Sequence, residues 1–345
     1  MKQGAPFFSV VILAYQVKEY LEQCVNSVLR QSFPDYEVIL VDPGSSDGTE
    51  VLCERYADLY EKVKVIHKKN EGQLLNRVAG FGIAAGEYLL CMDGDDWWQE
   101  DLLERLFADI QKEHAELLIF GHQRIKGQTV VRQVLHVFPH QAIFSGGRKK
   151  EIYEKLIQGF PINEVWAKAM SRKVFLRIPE SFSDCADMRK GEDLLYSLYM
   201  VQYAENIQYI DLPMYNYRLR EGSVIHTFRP GDLEDMLRVK KHTEKMMHCW
   251  GLTQSRIYEK FYTSIARFLM DYIYRCCVSE LPVREKKMLL RRIRTEELYF
   301  RTEPFQKLVP ISRRVRLFAQ LFRIGEDAAL WYGVVYSRLK RTRKK

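Results

Sequence analysis

An α/β fold is what this sequence predicts: a mostly parallel sheet flanked by helices, continued by a mainly helical, basic C-terminal region. Three observations predict it. In the first 120 residues apolar strand patterns alternate with helical ones. The strand patterns are continuous and β-branched, as in strands covered on both faces. The charge also changes sign along the chain: residues 1–225 hold 26 Lys and Arg against 32 Asp and Glu, whereas residues 226–345 hold 27 against 13. Chemistry in the front part and adhesion to something anionic behind it is the expectation, with domains at 1–228 and 229–345.

The elements follow in order. Phe7–Ala14 is a buried strand, and Tyr20, Leu21, Cys24, Val25, Val28 and Leu29 then recur at helical spacing. Tyr36–Asp42 is a second strand, after which Asp47-Gly48-Thr49 can open a helix. Val63–His67 is the third strand, Gln73–Ala85 a helix ended by Gly86, and Glu87–Asp93 the fourth strand. Asp101–His114 is a helix and Glu116–Gly121 a strand. From 122 to 150 the pattern loosens; helices return at Lys149–Gln158 and Glu192–Ala204, and the tail from Pro230 is helical. Alternation of this kind implies right-handed βαβ units. Ligands then bind beyond the carboxyl ends of the strands. Asp42 falls at one such end and Asp93, Asp95 and Asp96 at another.

Composition removes several classes. With 47% hydrophobic and 28% charged residues the chain is neither disordered nor collagen-like. Seven cysteines, an odd number with no CxxC, argue against a disulfide or zinc framework and favour a reducing cytoplasm. No apolar run reaches eighteen residues, and the N-terminal run is too short for a span or a secretory signal, so no membrane crossing is expected.

The strongest local feature is Asp93-Gly94-Asp95-Asp96 at a strand end. Three carboxylates within four residues suit a shared Mg²⁺ or Mn²⁺ completed by substrate phosphates; a solvated acidic turn is the plainer reading. Asp42-Pro-Gly-Ser-Ser-Asp-Gly-Thr49 is an acid at a strand end before a Gly/Ser turn, equally comfortable as a capping loop. Arg77 lies within a helix leading to the acidic strand, where an ion-paired side chain is the common outcome.

In order and at these separations, the segments resemble glycosyltransferase family 2, inverting nucleotide-sugar-dependent enzymes of the GT-A fold, over residues 7–226. Residues 9–33 are similar to the family's opening strand, Tyr and helix. VDPGSSDGT resembles its VDDGSxDGT, with Pro43 in place of the second Asp. Asn70–Tyr88 resembles the segment leading to the acidic strand, with Val78 in place of an Asn. Met92–Asp96 matches the metal motif, Glu192-Asp193 the "ED" signature, Asn163–Phe175 the segment before it, and Tyr217–His226 the loop closing over the donor diphosphate.

The resemblance implies a Rossmann-like mixed sheet and roles for these positions. Ala14 and Tyr15 line the nucleotide pocket, and Asp42 receives the base. Arg77 sits near base or diphosphate, and Asp93, with Gly94 beside it, faces the ribose or donor sugar. Asp95 is the main metal ligand with Asp96 in support. Asp193 is the base and Glu192 places it or the acceptor, because inversion needs a carboxylate to take the acceptor's proton. Arg218, Arg220 and Ser223 bind phosphate, and His226 binds phosphate or completes the metal shell. Trp166, Lys168 and Trp97 contact the acceptor, although core packing suits both tryptophans and solvation suits the lysine. The cosubstrate is a nucleotide sugar, a UDP-sugar by preference, with Mn²⁺ or Mg²⁺.

The tail adds a helix with Val315, Leu317, Phe318, Leu321 and Phe322 on one face, flanked by Arg313, Arg314, Arg316 and Arg323. Such a helix suits the inner face of an anionic membrane, where lipid-linked acceptors are presented; a packed bundle with a solvated basic face is the alternative. The sequence thus predicts a transferase in surface polysaccharide or glycan assembly, cytoplasmic and peripheral on the membrane, with homo-oligomerisation open and no nucleic-acid module visible. Two other readings remain: a sugar-nucleotide nucleotidyltransferase, which lacks its Gly-rich loop after the first strand, and a non-catalytic transferase-fold adaptor at a membrane or partner.

Overall fold

The structure, a computed structural model, describes residues 4–342 apart from 160, 180–181, 221–227 and 254–255, and only the backbone over 337–342. It divides into two compact units, Met1–Ser223 and Val224–Lys345.

The first unit opens with β1 (Phe8–Leu13), α1 (Lys18–Leu29), β2 (Tyr36–Asp42), α2 (Thr49–Leu59), β3 (Val63–His67), α3 (Gln73–Ile83) and β4 (Tyr88–Asp93). Every residue of β1 and β2 is buried, as the unbroken apolar runs require. Next come β5 (Trp97–Trp98), α4 (Leu102–Glu113), β6 (Leu117–Lys126), β7 (Thr129–Val134), β8 (Ala142–Ser145), α5 (Lys149–Ile157), β9 (Lys168–Ser171), α6 (Arg172–Arg177), α7 (Glu192–Tyr203) and β10 (Asn206–Arg218). The strands form one sheet in the order β3-β2-β1-β4-β9-β6-β10-β5, with β7 on β6 and β8 on β10.

β1 pairs in parallel with β2 and β4, so Val41 and Asp93 both lie opposite Leu13. Asp42 and Asp93 therefore leave the sheet at the same edge. The sheet is less parallel than alternation suggests, because β9 runs antiparallel between β4 and β6. Four buried residues are too short to show a period, so nothing in their pattern announces them. Residues 122–134, expected to be loose, form a hairpin that turns at Gly127, whose φ is 60°. β10 pairs with β6 through two register shifts around Pro213. Gly121 sits at this irregularity, where a Cβ would come within 2.7 Å of the Leu212 carbonyl oxygen. The shifts bring Tyr215 opposite His122 on one side and Trp98 on the other.

The second unit is helical: α8 (Asp232–Cys249), α9 (Arg256–Val278), α10 (Val283–Thr295), α11 (Glu297–Thr302), α12 (Arg313–Ile324) and α13 (Glu326–Thr342). The apolar face of α12 is not free for a membrane. Val315 and Ala319 pack in one core with Ala266, Met270 and Val309, and Phe318 and Phe322 are fully buried. Burial of this kind stabilises the bundle, which is where the sequence placed a lipid contact. Leu317 alone of that face is exposed, at 36%. Among the described residues, no helix is long and apolar enough to cross a membrane.

Candidate active site

The turn after β2 is laced to the end of β1. The Ser45 amide donates to Asp42 Oδ1 at 2.8 Å, and Ser45 Oγ donates to the Ala14 carbonyl at 3.2 Å. Asp47 takes the amides of Lys18 and Thr49, and Thr49 Oγ1 takes that of Val17. These bonds satisfy the free N–H groups at the starts of α1 and α2. Tyr15 projects from this edge, 45% exposed. Asp42 is buried, and its second oxygen meets His67 Nδ1 at 2.9 Å. Glu54 and Asp42 together raise the His67 pKa. Each Asp42 oxygen thus has a partner already, and the buried carboxylate holds the turn in shape.

The acidic lip follows β4. The Gly94 amide donates to the Leu13 carbonyl at 3.0 Å, and a Cβ there would fall 2.7 Å from that oxygen, so only glycine allows the approach. The packing of β1 against the lip explains Gly94 without a ligand. Asp96 is 1% exposed, and both its oxygens accept: one from the Tyr215 hydroxyl at 2.6 Å, the other from the Arg218 amide at 2.7 Å. The expected supporting metal ligand is therefore a strut between the lip and β10. Burial, then the charges of Asp95 and Asp93, hold its carboxyl well above the usual range. Asp95 is oriented differently, with a side chain 21% exposed and paired with Arg220. Burial and the Asp93 charge raise its carboxyl, and Arg220 opposes them.

Arg77 joins the two halves. On α3 and 1% exposed, it donates through Nη2 to Asp93 Oδ1 at 2.9 Å and through Nη1 to Asp193 Oδ1 at 2.6 Å. Burial alone would lower its pKa, but Asp193 and Asp93 hold it well above normal. Its expected contact with base or diphosphate gives way to this ion-pair bridge. Asp193 and Glu192 form the first turn of α7, entered through Gly191 at φ 82°. Burial raises the Asp193 carboxyl, and burial with the Asp193 charge pushes Glu192 up to about 7.

The aromatic and lysine candidates for the acceptor are occupied. Trp166 is 5% exposed, stacked on Tyr215 at 4.2 Å and Tyr217 at 5.6 Å, so its faces belong to the core. Lys168 is buried, and its ammonium donates to the carbonyls of Ile162 and Glu164, which corrects the expected acceptor contact. The Trp97 ring lies 4.5 Å from the Arg218 guanidinium, which also covers Tyr20 at 4.9 Å and donates through Nε to the Asp95 carbonyl. Arg218 and Arg220 thus reach the lip, bonded to the Asp95 carbonyl and paired with the Asp95 carboxylate, while Ser223 and His226 lie outside the described residues. Sequence reasoning passed over Tyr215. Its buried hydroxyl donates to Asp96 and accepts from the Asp93 amide at 3.2 Å. Only the shifted register of β10 puts it there, and no periodicity signals that.

A hard divalent cation fits Asp95 and Asp93, whose carboxylates share one lip: burial first and then the Asp93 charge raise the Asp95 carboxyl, and a shared cation relieves the second of these. Asp96 is less suited, being 1% exposed with a hydrogen bond on each oxygen.

Residues 9–178 match the family model for Glycosyl transferase family 2. EpsH of Bacillus subtilis, which bears a glycosyltransferase name, is 23% identical over 292 residues, 84% of this chain and 81% of EpsH. The poly(ribitol-phosphate) beta-N-acetylglucosaminyltransferase TarS of Staphylococcus aureus is 24% identical over 238 residues, 67% of this chain and 39% of TarS. The structure of S. aureus TarS 1-349 in complex with UDP-GlcNAc superposes with a TM-score of 0.62 at 18% identity, covering 97% of this chain and 92% of that one. GalNAc-T7 with UDP, GalNAc and Mn²⁺ gives 0.52 at 17% identity, over 78% of this chain and 55% of that one. At such identities the structural likeness speaks for the fold, a GT-A sheet with flanking helices.

Proposed function

This chain carries a family 2 glycosyltransferase domain, and from that premise we propose that it transfers a sugar from a UDP-sugar to a hydroxyl of a carbohydrate or lipid-linked acceptor, with inversion and with help from a divalent cation. The observation that carries the reading is the Arg77 bridge. One guanidinium ties Asp93, at the acidic lip, to Asp193, at the start of α7. The carboxylate suited to a base and the lip suited to a diphosphate therefore meet at one buried guanidinium, which supports the reading.

The chain's own groups divide the work. Asp95 and Asp93 would hold Mg²⁺ or Mn²⁺. The ion, when bound, supplies electrostatic stabilisation of the charge that grows on the leaving diphosphate. Arg218, fixed by Trp97, Tyr20 and the Asp95 carbonyl, holds positive charge at the same lip. Asp193 takes the acceptor's proton on the oxygen that Arg77 leaves free, while the acceptor oxygen bonds to the anomeric carbon opposite the leaving group. The carbon–phosphate oxygen bond breaks and the nucleoside diphosphate departs with the electron pair. Burial makes Asp193 a stronger base than an exposed aspartate. An α-linked donor then gives a β-linked product.

TarS, named as a poly(ribitol-phosphate) N-acetylglucosaminyltransferase, supports a setting in polysaccharide assembly. The basic second unit supports contact with an anionic surface through exposed groups such as Arg313 and Arg314, without insertion of the α12 apolar face. UDP release from UDP-sugars with Mn²⁺ is the test. Asp193→Asn should slow turnover by about a thousandfold or more while UDP still binds, as expected for loss of a base, and EDTA should stop the wild type. Equal turnover in EDTA would remove the cation, and an α-linked product would remove inversion.

A further inference from the structure

The second unit holds a cavity of about 650 Å³ where the ends of α10 and α12 meet α11 and the 3₁₀ turn Glu303–Leu308. That volume is in the range of small-molecule sites. Arg294, Lys307 and Arg323 line it, three cations against the one carboxylate of Glu303. Two of the cations are fixed in place. Arg294 donates through Nη2 to the carbonyls of Phe322 and Arg323, and its guanidinium lies 4.9 Å from the Phe322 ring centre. It thereby covers the last carbonyls of α12, which would otherwise repel an anion. Arg323 donates through Nη2 to Oε1 of the buried Gln306 at 2.8 Å, which leaves its other nitrogens for a ligand. The Lys307 ammonium makes no hydrogen bond or ion pair among the described residues.

Around these cations the surface is apolar. Phe300, on the wall of the cavity beside the buried Tyr299, is 56% exposed. Leu308 directly follows Lys307 and is 53% exposed, and Ile324 directly follows Arg323 and is 78% exposed. Single exposed apolar residues are ordinary, but three gathered at one cationic cavity are not scattered. The boundary of an anionic bilayer serves both kinds of group at once: lipid phosphate for the cations, acyl chains for the side chains around them. The unit as a whole has the matching sign, since residues 226–345 hold 27 Lys and Arg against 13 Asp and Glu.

We propose that this cavity binds the phosphate of an anionic membrane lipid, with Phe300, Leu308 and Ile324 reaching past the headgroups to the acyl boundary. Lys307 and Arg323 hold the phosphate oxygens, and Arg294 adds charge behind them. A neutral sugar would leave the cations uncompensated, and a free phosphate would leave the apolar surround in water. The proposal rests on the reading that the second unit meets an anionic surface. It adds the ligand and the point of contact, which is the C-terminal end of α12 and not the buried apolar face of that helix.

Vesicle sedimentation of the full chain, with titration of a short-chain lipid, tests this. Wild type should sediment with vesicles of phosphatidylglycerol and phosphatidylcholine in equal parts, and stay in solution with phosphatidylcholine alone. Dihexanoylphosphatidylglycerol, kept below micelle formation, should bind saturably, and glycerol 3-phosphate, which lacks the chains, at least about tenfold more weakly. Lys307→Gln should weaken the short-chain lipid about fivefold, the effect of one basic residue at an anionic surface, and Phe300→Ser about tenfold. Both side chains are exposed, so both variants should fold. Arg313→Gln removes the same charge from the first residue of α12 and should leave this affinity unchanged. Wild type that ignores phosphatidylglycerol vesicles overturns the anionic-surface reading and the site with it. Wild type that sediments, while Lys307→Gln and Phe300→Ser bind the short-chain lipid as wild type does, overturns the site alone. Glycerol 3-phosphate binding as tightly as the short-chain lipid overturns the lipid assignment. A solution dimer that Phe300→Ser disperses gives the apolar surround to a second copy of the chain and overturns it too.

Discussion

The turn after β2 and the acidic lip after β4 are built on different scales. The Asp42–Thr49 turn closes through bonds two or three residues apart, Ser45 to Asp42 and Thr49 to Asp47, and then ties to the neighbouring strand end. Around the acidic lip the partners are 116 to 122 residues apart: Arg77 with Asp193, Tyr215 with Asp96, the Arg218 amide with Asp96. The difference shows how charged residues in one short motif come to do unlike work. Asp95 keeps some exposure and pairs with Arg220, whereas Asp96, its neighbour, is committed to the frame. Arg77 likewise spends its charge on two carboxylates and not on a ligand.

The largest break in that comparison comes from Arg77. Arg77→Met leaves Asp93 and Asp193 facing each other without their shared cation. Removing one partner from a buried pair costs about 3–5 kcal/mol, and the partial exposure of both aspartates, 23% and 26%, favours the lower end. Urea unfolding should show the loss, and adding Asp193→Asn should restore part of it. Unchanged stability with weakened UDP binding would return Arg77 to the donor role that the resemblance implies.

How far the sequence could be read follows the same division of scale. Tyr36–Asp42 coincides with its predicted span because burial on both faces selects a nearly continuous apolar run, and Val63–His67, partly exposed, coincides through its β-branched residues. The shared edge for Asp42 and Asp93 follows from parallel register, which alternation also predicts. Asp96 and Lys168 depart from their expected roles, and Trp166 takes the core position that was its alternative, because residue type gives chemistry and not orientation. What fills their polar atoms or ring faces arrives from β10, or from the short turn before β9, and neither has a periodic signature. Val315 and Phe318 show the same limit in the second unit. An amphipathic stripe looks alike whether it meets lipid or another helix.

A smaller effect sharpens the contrast between the two acids of α7. Glu192 titrates at about 7 in the folded protein, above its usual value of 4.5. The native state therefore binds more protons than the unfolded chain between those values, and stability from this group falls as pH rises through the window. Neutral Glu192→Gln should remove that slope, so its unfolding free energy should gain on wild type by about 1–3 kcal/mol between pH 5 and pH 8. Urea titrations at the two pH values measure it. A constant difference between variant and wild type would mean that Glu192 is not held protonated by its surroundings.

The smallest effect separates Asp96 from Asp95. In Asp96→Asn the amide oxygen can still accept from the Arg218 amide, but the amide nitrogen cannot accept from the buried Tyr215 hydroxyl, which already takes the Asp93 amide, so one hydrogen bond of the frame is lost. The expected cost is about 1–2 kcal/mol. Both Asp96 oxygens bond to β10, so no ligand of the cation is removed. The Mn²⁺ concentration for half-maximal UDP release should therefore stay within about twofold of wild type. Asp95→Asn, by contrast, removes a partly exposed carboxylate charge, and its Mn²⁺ requirement should rise at least about tenfold, the lower bound for losing a hard anionic ligand. If Asp96→Asn raised the Mn²⁺ requirement as much as Asp95→Asn with no loss of stability, both carboxylates would be ligands, and the strut between lip and β10 would have to be carried by Tyr215 and the Asp93 amide alone.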